Sequence, residues 1–123
     1  MTSSSKDGVT FTHEPRPWEI WLAYVRFADN PSVGKVRPVI IIDHDVAAIV
    51  VAKVTTAEPQ ERFSYCKLED WQAEGLLRPS RAQVTPLFLV SPAEVLRDAP
   101  LGILTTRDRR ALQAKLAAVG SEG

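Results

Sequence analysis

Cysteine is almost missing from this chain. Cys66 is the only one in 123 residues, so no intrachain disulfide can form. Histidine is nearly as scarce, with only His13 and His44. These three residues stand apart, without the CxxC or HxxxH spacing that a zinc site uses. No metal or other cofactor is expected. A surplus of charge is missing too: 15 Lys and Arg balance 15 Asp and Glu, for a net charge of zero. Such a chain cannot hold nucleic acid by bulk electrostatics. Any nucleic-acid site must come from a local cluster of basic side chains. Long apolar runs are also lacking. PVIII and VAAIVVA fall far short of the roughly 20 residues that span a bilayer. The opening MTSSSKDG has no apolar stretch of the kind a signal peptide carries. A soluble cytoplasmic protein with no membrane partner is expected.

What is present fits one domain. Residues 1–15 are polar and rich in Ser and Thr, and are expected to be a disordered lead-in. A single folded domain is expected over 16–120, with a short tail at 121–123. In PRPWEIWLAYVRF, Ile20, Leu22 and Tyr24 alternate with Trp21, Ala23 and Val25, as in a strand buried on both faces. FADNPSVGK crowds turn-forming residues together and reads as a long binding loop. RPVIII and AAIVVAKVTT read as two strands joined by a turn at Asp43–Asp45. Arg62–Leu68 reads as another strand, and LEDWQAEG as a helical turn stopped by Gly75. SRAQVTPLFLV is a further strand in which Pro86 implies an edge or a bulge. Ser91-Pro92-Ala93-Glu94 has the form of a capping box with proline at the first helical position. LGIL is either a last strand or a loop. TTRDRRALQAKLAAVG predicts a helix capped by Thr105, ended by Gly120, and apolar along Leu112, Leu116 and Val119. Strands followed by one terminal helix suit a small curled β-barrel with the helix packed on it.

Within KVRPVIII, Arg37 stands directly before Pro38. Proline holds the residue ahead of it in an extended conformation, so the backbone under the guanidinium is partly fixed. If the hairpin turns near residues 45 and 46, Arg37 falls opposite residues 53 to 55. Lys53 and Thr55 share one face of that strand, and opposed side chains lie about 5 Å apart at Cβ. A guanidinium, an ammonium and a hydroxyl on a rigid sheet make a phosphate site. Against this, a charged residue at a strand start is ordinarily just solvated, and threonine is common in strands for conformational reasons. His44, in the turn, and His13, in the lead-in, are the two histidines, the residue type suited to act as a base near neutrality. Trp18, Trp21 and Tyr24 either stack bases or fill the core, and Arg78 either tracks a nucleic-acid backbone or solvates a loop.

The combination of PWEIWLAYV, KVRPVIII, VAKVTT, GLLRPS and the closing LGILTTRDRRALQAKLAAV resembles the PemK/MazF family of toxins from type II toxin–antitoxin systems. The resemblance implies an SH3-like β-barrel with a C-terminal helix, assembled as a homodimer. It implies a metal-independent endoribonuclease that cuts single-stranded RNA, with a cognate antitoxin as partner. In the MazF-like branch the arginine of the R-P motif and a threonine closing the next strand act in cleavage. Those positions match Arg37 and Thr55. Ser32, Lys35, Lys53, Arg81 and Gln83 are the RNA-binding candidates. Two departures stand out. Where many relatives carry G-x-E-Q, this loop reads NPSVGK, with Ser32 as its nearest hydroxyl. The arginine and aspartate of the PemK branch align with Gln83 and Thr85, while a shift of two brings Arg81 to the arginine position. Two other functions compete with the nuclease. One is a non-catalytic family member that binds RNA or protein. The other is a CcdB-like gyrase poison, which the absence of an aromatic residue in the closing AAVGSEG disfavours.

Overall fold

β1 (Glu19–Phe27) buries both of its faces, as the alternation of its apolar residues requires. The computed structural model describes residues 14–27, 30–45, 48–96 and 98–122; His13 and nearly all of the expected lead-in lie outside them. β2 (Asn30–His44), β3 (Ile49–Thr55), β4 (Ser64–Leu68), β5 (Ser80–Val90) and β6 (Gly102–Ile103) complete the sheet, and α1 (Thr106–Glu122) follows. A one-turn 3₁₀ helix at Pro92–Glu94 separates β5 from β6. Its capping carboxylate is in place: Glu94 Oε1 accepts the Ser91 N–H at 2.9 Å.

The six strands lie in the order β4-β5-β3-β2-β1-β6. The pairings are antiparallel throughout. The expected mainly-β class with a terminal helix is therefore what the chain adopts. The hydrogen-bonded ladder does not close into a full barrel, because β4 and β6 remain its edges. No helix among the described residues is long and apolar enough to cross a membrane.

Three sequence expectations need correction. The segment NPSVGK is strand, not open loop. Phe27 pairs with Asn30 and Arg26 with Gly34, so the extra residues between form a bulge at the hairpin's end. The strands approach so closely there that a Cβ on Gly34 would lie 2.6 Å from the Val25 carbonyl oxygen. Turn-forming composition thus marks a bulge and a close backbone approach. The expected turn at Asp43–Asp45 lies later, because Asp43 and His44 still pair with Val50 and Ile49. It is closed by the Asp45 N–H on the Ala48 carbonyl at 2.9 Å. Gly120 does not end the helix, which continues to Glu122.

Because side chains alternate along a strand, the sheet carries two apolar faces. One gathers Ile20, Ile40, Ala52, Val54, Ala82 and Val84, with Leu112 of α1 buried on it and Leu116 and Val119 packed alongside. The other gathers Trp21, Ala23, Val39, Ile41, Val51 and Val95. Trp21 is fully buried, and its indole N–H donates to Glu19 Oε1 at 3.0 Å. Trp21 is thus a core residue and not a base-stacking one.

The helix start is fixed by three carboxyl groups. Asp108 accepts the N–H groups of Glu69 and Asp70, each at 2.9 Å. Glu74 Oε2 accepts the Thr105 N–H at 2.9 Å. The Thr105 hydroxyl lies 2.6 Å from Asp70 Oδ2. It also accepts the Asp108 N–H at 3.3 Å, the expected N-cap bond. Oxygens of Asp70, Glu74 and Asp108 lie within 4.8 Å of one another. The turn that holds Glu74 ends at Gly75, whose φ of +90° suits glycine.

Candidate functional site

The second apolar face ends in charge. Along β2 it runs Ile41, Val39 and then Arg37; along β3 it runs Ile49, Val51 and then Lys53. Val39 pairs with Lys53, and the same register continued by two residues sets Arg37 opposite Thr55. On the far side of β3, Gln83 of β5 pairs with Lys53 and Arg81 with Thr55. Regular β pairing on three adjacent strands therefore gathers Arg37, Lys53, Thr55 and Gln83. The buried residues that follow Arg37 in its strand are what hold its backbone in place.

Arg37 and Lys53 are both half-buried. Among the described residues neither forms an ion pair. Burial lowers the pKa of the Arg37 guanidinium from its ordinary value. The Lys53 ammonium is lowered as well, first by burial and then by the charge of Arg37. Lys53 Nζ lies 5.5 Å from the centre of the Phe88 ring, a cation–π arrangement that partly offsets its lost hydration. The Thr55 hydroxyl accepts the Ala57 N–H at 3.0 Å, which leaves its own proton for a ligand.

Two clefts meet at Arg37. One, of about 290 Å³, is lined by Phe27, Phe63, Phe88, Lys53, Gln60 and Gln83 among others. The second, of about 280 Å³, is lined by Lys35, Thr55, Thr56 and Ser80 with their neighbours. The two linings share only Arg37, and neither includes a carboxylate or an imidazole.

Arg37, Lys53 and Thr55 thus come together, as hairpin counting from the sequence predicts, and Gln83 and Lys35 line the same two clefts. Two other candidates stand apart. Ser32 sits in the hairpin bulge with its hydroxyl on Asn30 Oδ1 at 2.7 Å. Arg81, although opposite Thr55, turns its guanidinium to the Ala57 carbonyl and lines neither cleft. His44 lies at the far end of the β2–β3 hairpin, 3.4 Å from Glu14, and so away from Arg37. Sequence reasoning missed Gln60, Arg62 and Phe63. These residues fall in a turn closed by the Phe63 N–H on the Gln60 carbonyl, so β4 begins at Ser64 and not at Arg62. An aromatic residue beside an arginine just ahead of a strand was the available signal.

Comparison with known proteins agrees with this architecture. Solved structures match the chain. One is the Mycobacterium tuberculosis toxin MazF-mt6, 18% identical with a TM-score of 0.59. The match covers 82% of this chain and 96% of that one, and it shows a shared fold. No curated protein sequence matches the chain. The family described as "PemK-like, MazF-like toxin of type II toxin-antitoxin system" matches residues 16–120. Fold and sequence together lead to one assignment: the chain belongs to the PemK-like, MazF-like toxins of type II toxin–antitoxin systems.

Proposed function

We propose that this protein is the toxin of a type II pair and an endoribonuclease that cuts single-stranded RNA without a metal ion. One observation carries the proposal: Arg37 and Lys53 lie side by side, half-buried, with no anionic partner among the described residues. Two uncompensated cations in a partly desolvated cleft favour a multiply charged anion such as a phosphodiester backbone. A cytoplasmic setting, a homodimer and a cognate antitoxin follow from the family as expectations.

The chemistry is attack of a 2′-OH on the adjacent phosphorus, its proton passing to solvent water, with departure of the 5′-oxygen, which takes up a proton as it leaves. Arg37 keeps its charge and offers a fork of donors, so it binds the phosphoryl oxygens as negative charge builds on them. Thr55 donates its hydroxyl proton to the same group. Lys53 is the proton-transfer residue. Its lowered pKa makes its ammonium a better acid toward the departing oxygen than an ordinary lysine. Arginine is too weak an acid for that task.

A second reading rests on the lack of a carboxylate or imidazole in either lining. Without a strong base for the 2′-OH, the same clefts would bind RNA and not cut it. Incubating the protein with a long single-stranded RNA in EDTA, beside an all-2′-deoxy oligonucleotide of equal sequence, separates the two. Discrete cuts in the RNA alone are expected. Binding of both strands with cleavage of neither would favour the binding module.

A further inference from the structure

The two clefts that meet at Arg37 differ in chemistry. One offers the rings of Phe27, Phe63 and Phe88 together with the amides of Gln60 and Gln83, with the cations Arg26, Lys53 and Arg62 at its walls. The other offers hydroxyls and a lysine, with no aromatic residue. A nucleotide is divided in the same way, into a flat base with donors and acceptors on its edge and a polar sugar-phosphate. Resting on the RNA-cleaving reading above, we infer that the aromatic cleft seats the nucleobase next to the phosphate at Arg37, and that Gln83 reads that base's edge. The hydroxyl-lined cleft then carries the sugar-phosphate on the other side of the cut.

Gln83 is suited to this task. It is 2% exposed, yet its side chain lines the cleft. Among the described residues its side chain makes one hydrogen bond, from the amide nitrogen to the Pro86 carbonyl at a long 3.5 Å. The amide oxygen and a second N–H therefore remain for a ligand. The backbone under it is held by strand pairing with Lys53 on one side and Tyr65 on the other, which fixes where the side chain leaves the sheet. Arg62 lies over Phe63, 4.6 Å from the ring centre. A planar guanidinium on an aromatic ring is a platform on which a base stacks.

The test is end mapping on a random-sequence RNA pool with the unaltered protein, Gln83→Leu and Phe63→Leu, each checked for a native thermal melt. The unaltered protein is expected to select one base at the position beside the cut. Gln83→Leu is expected to weaken that selection roughly tenfold to a hundredfold while leaving the other motif positions unchanged. Phe63→Leu is expected to slow cutting at all sites with the motif kept. Should Gln83→Leu fail to fold, Gln83→Glu keeps the shape and removes the donor, and is expected to change which base is chosen. An unchanged base preference in the folded Gln83 variant overturns the inference while leaving the nuclease reading intact. No cutting of any pool member by the unaltered protein overturns both.

Discussion

Arg37 and Lys53 stand next to each other at the end of one sheet face, both half-buried, and neither is paired with a carboxylate among the described residues. Two like charges held this way destabilise the free protein slightly and favour an anionic ligand. The arrangement exists because a buried stripe on β2 and another on β3 stop at the same level.

Lys53 tests whether the second cation transfers a proton or only supplies charge. Lys53→Arg keeps the charge but not the acidity. Cleavage is expected to fall by about 10²-fold, the lower end for lost acid catalysis. In the unaltered protein the rate is expected to decline at alkaline pH, beginning below the ordinary lysine range because the pKa is lowered. A Lys53→Arg rate equal to the original would assign Lys53 to charge alone.

Thr55→Val keeps the β-branched shape that the strand favours and removes the hydroxyl. One lost hydrogen bond to a charged group corresponds to about 1.5–3 kcal/mol, so cleavage is expected to drop roughly tenfold to a hundredfold. Single-turnover rates measure this, with the melting temperature as the control for the lost Ala57 contact.

Glu74 makes stability depend on pH. It is fully buried, and its Oε1 has no hydrogen-bond partner among the described residues. Burial and the neighbouring Asp108 raise its pKa from 4.5 to about 7, against the opposing bond from the Thr105 backbone. A proton on Glu74, shared with Asp108, satisfies the orphan oxygen. The native state then holds that proton more tightly than the unfolded chain does. The contribution is full below the unfolded value and is lost as pH rises through about 7. Urea midpoints are expected to fall between pH 5 and 8, and Glu74→Gln is expected to flatten that slope. An equal slope in the variant would remove Glu74 as its source.

Asp108→Ala removes the acceptor for two backbone N–H groups in the 69–70 turn. Each of these part-buried bonds to a charged group contributes on the order of 1 kcal/mol, so a lower denaturant midpoint is expected. The clefts at Arg37 lie elsewhere on the sheet, so RNA cleavage at low temperature is expected to persist.

Much of this was legible in the sequence because strand alternation is a local property. Pro38 and the isoleucines after it marked a buried strand with Arg37 at its entrance, and hairpin counting brought Thr55 to it. Bulges broke that legibility. NPSVGK has loop composition yet lies within a strand, since glycine and proline also mark irregular pairing. The aromatic cleft depends on Phe27, Phe63 and Phe88, which come from three separate segments and converge only when the sheet curls. The carboxyl cluster at the helix start joins the Asp70–Glu74 turn to Thr105 and Asp108, 31 or more residues further along, and no spacing rule reveals that join.

The central claim is that Arg37 binds the scissile phosphate of an RNA. The direct measurement is to map the products of a long single-stranded RNA in EDTA, with Arg37→Ala run alongside at matched fold content. Discrete cuts ending in 2′,3′-cyclic phosphates, reduced by roughly 10²-fold or more in the variant, are the predicted result. Undiminished cutting by Arg37→Ala would contradict the account.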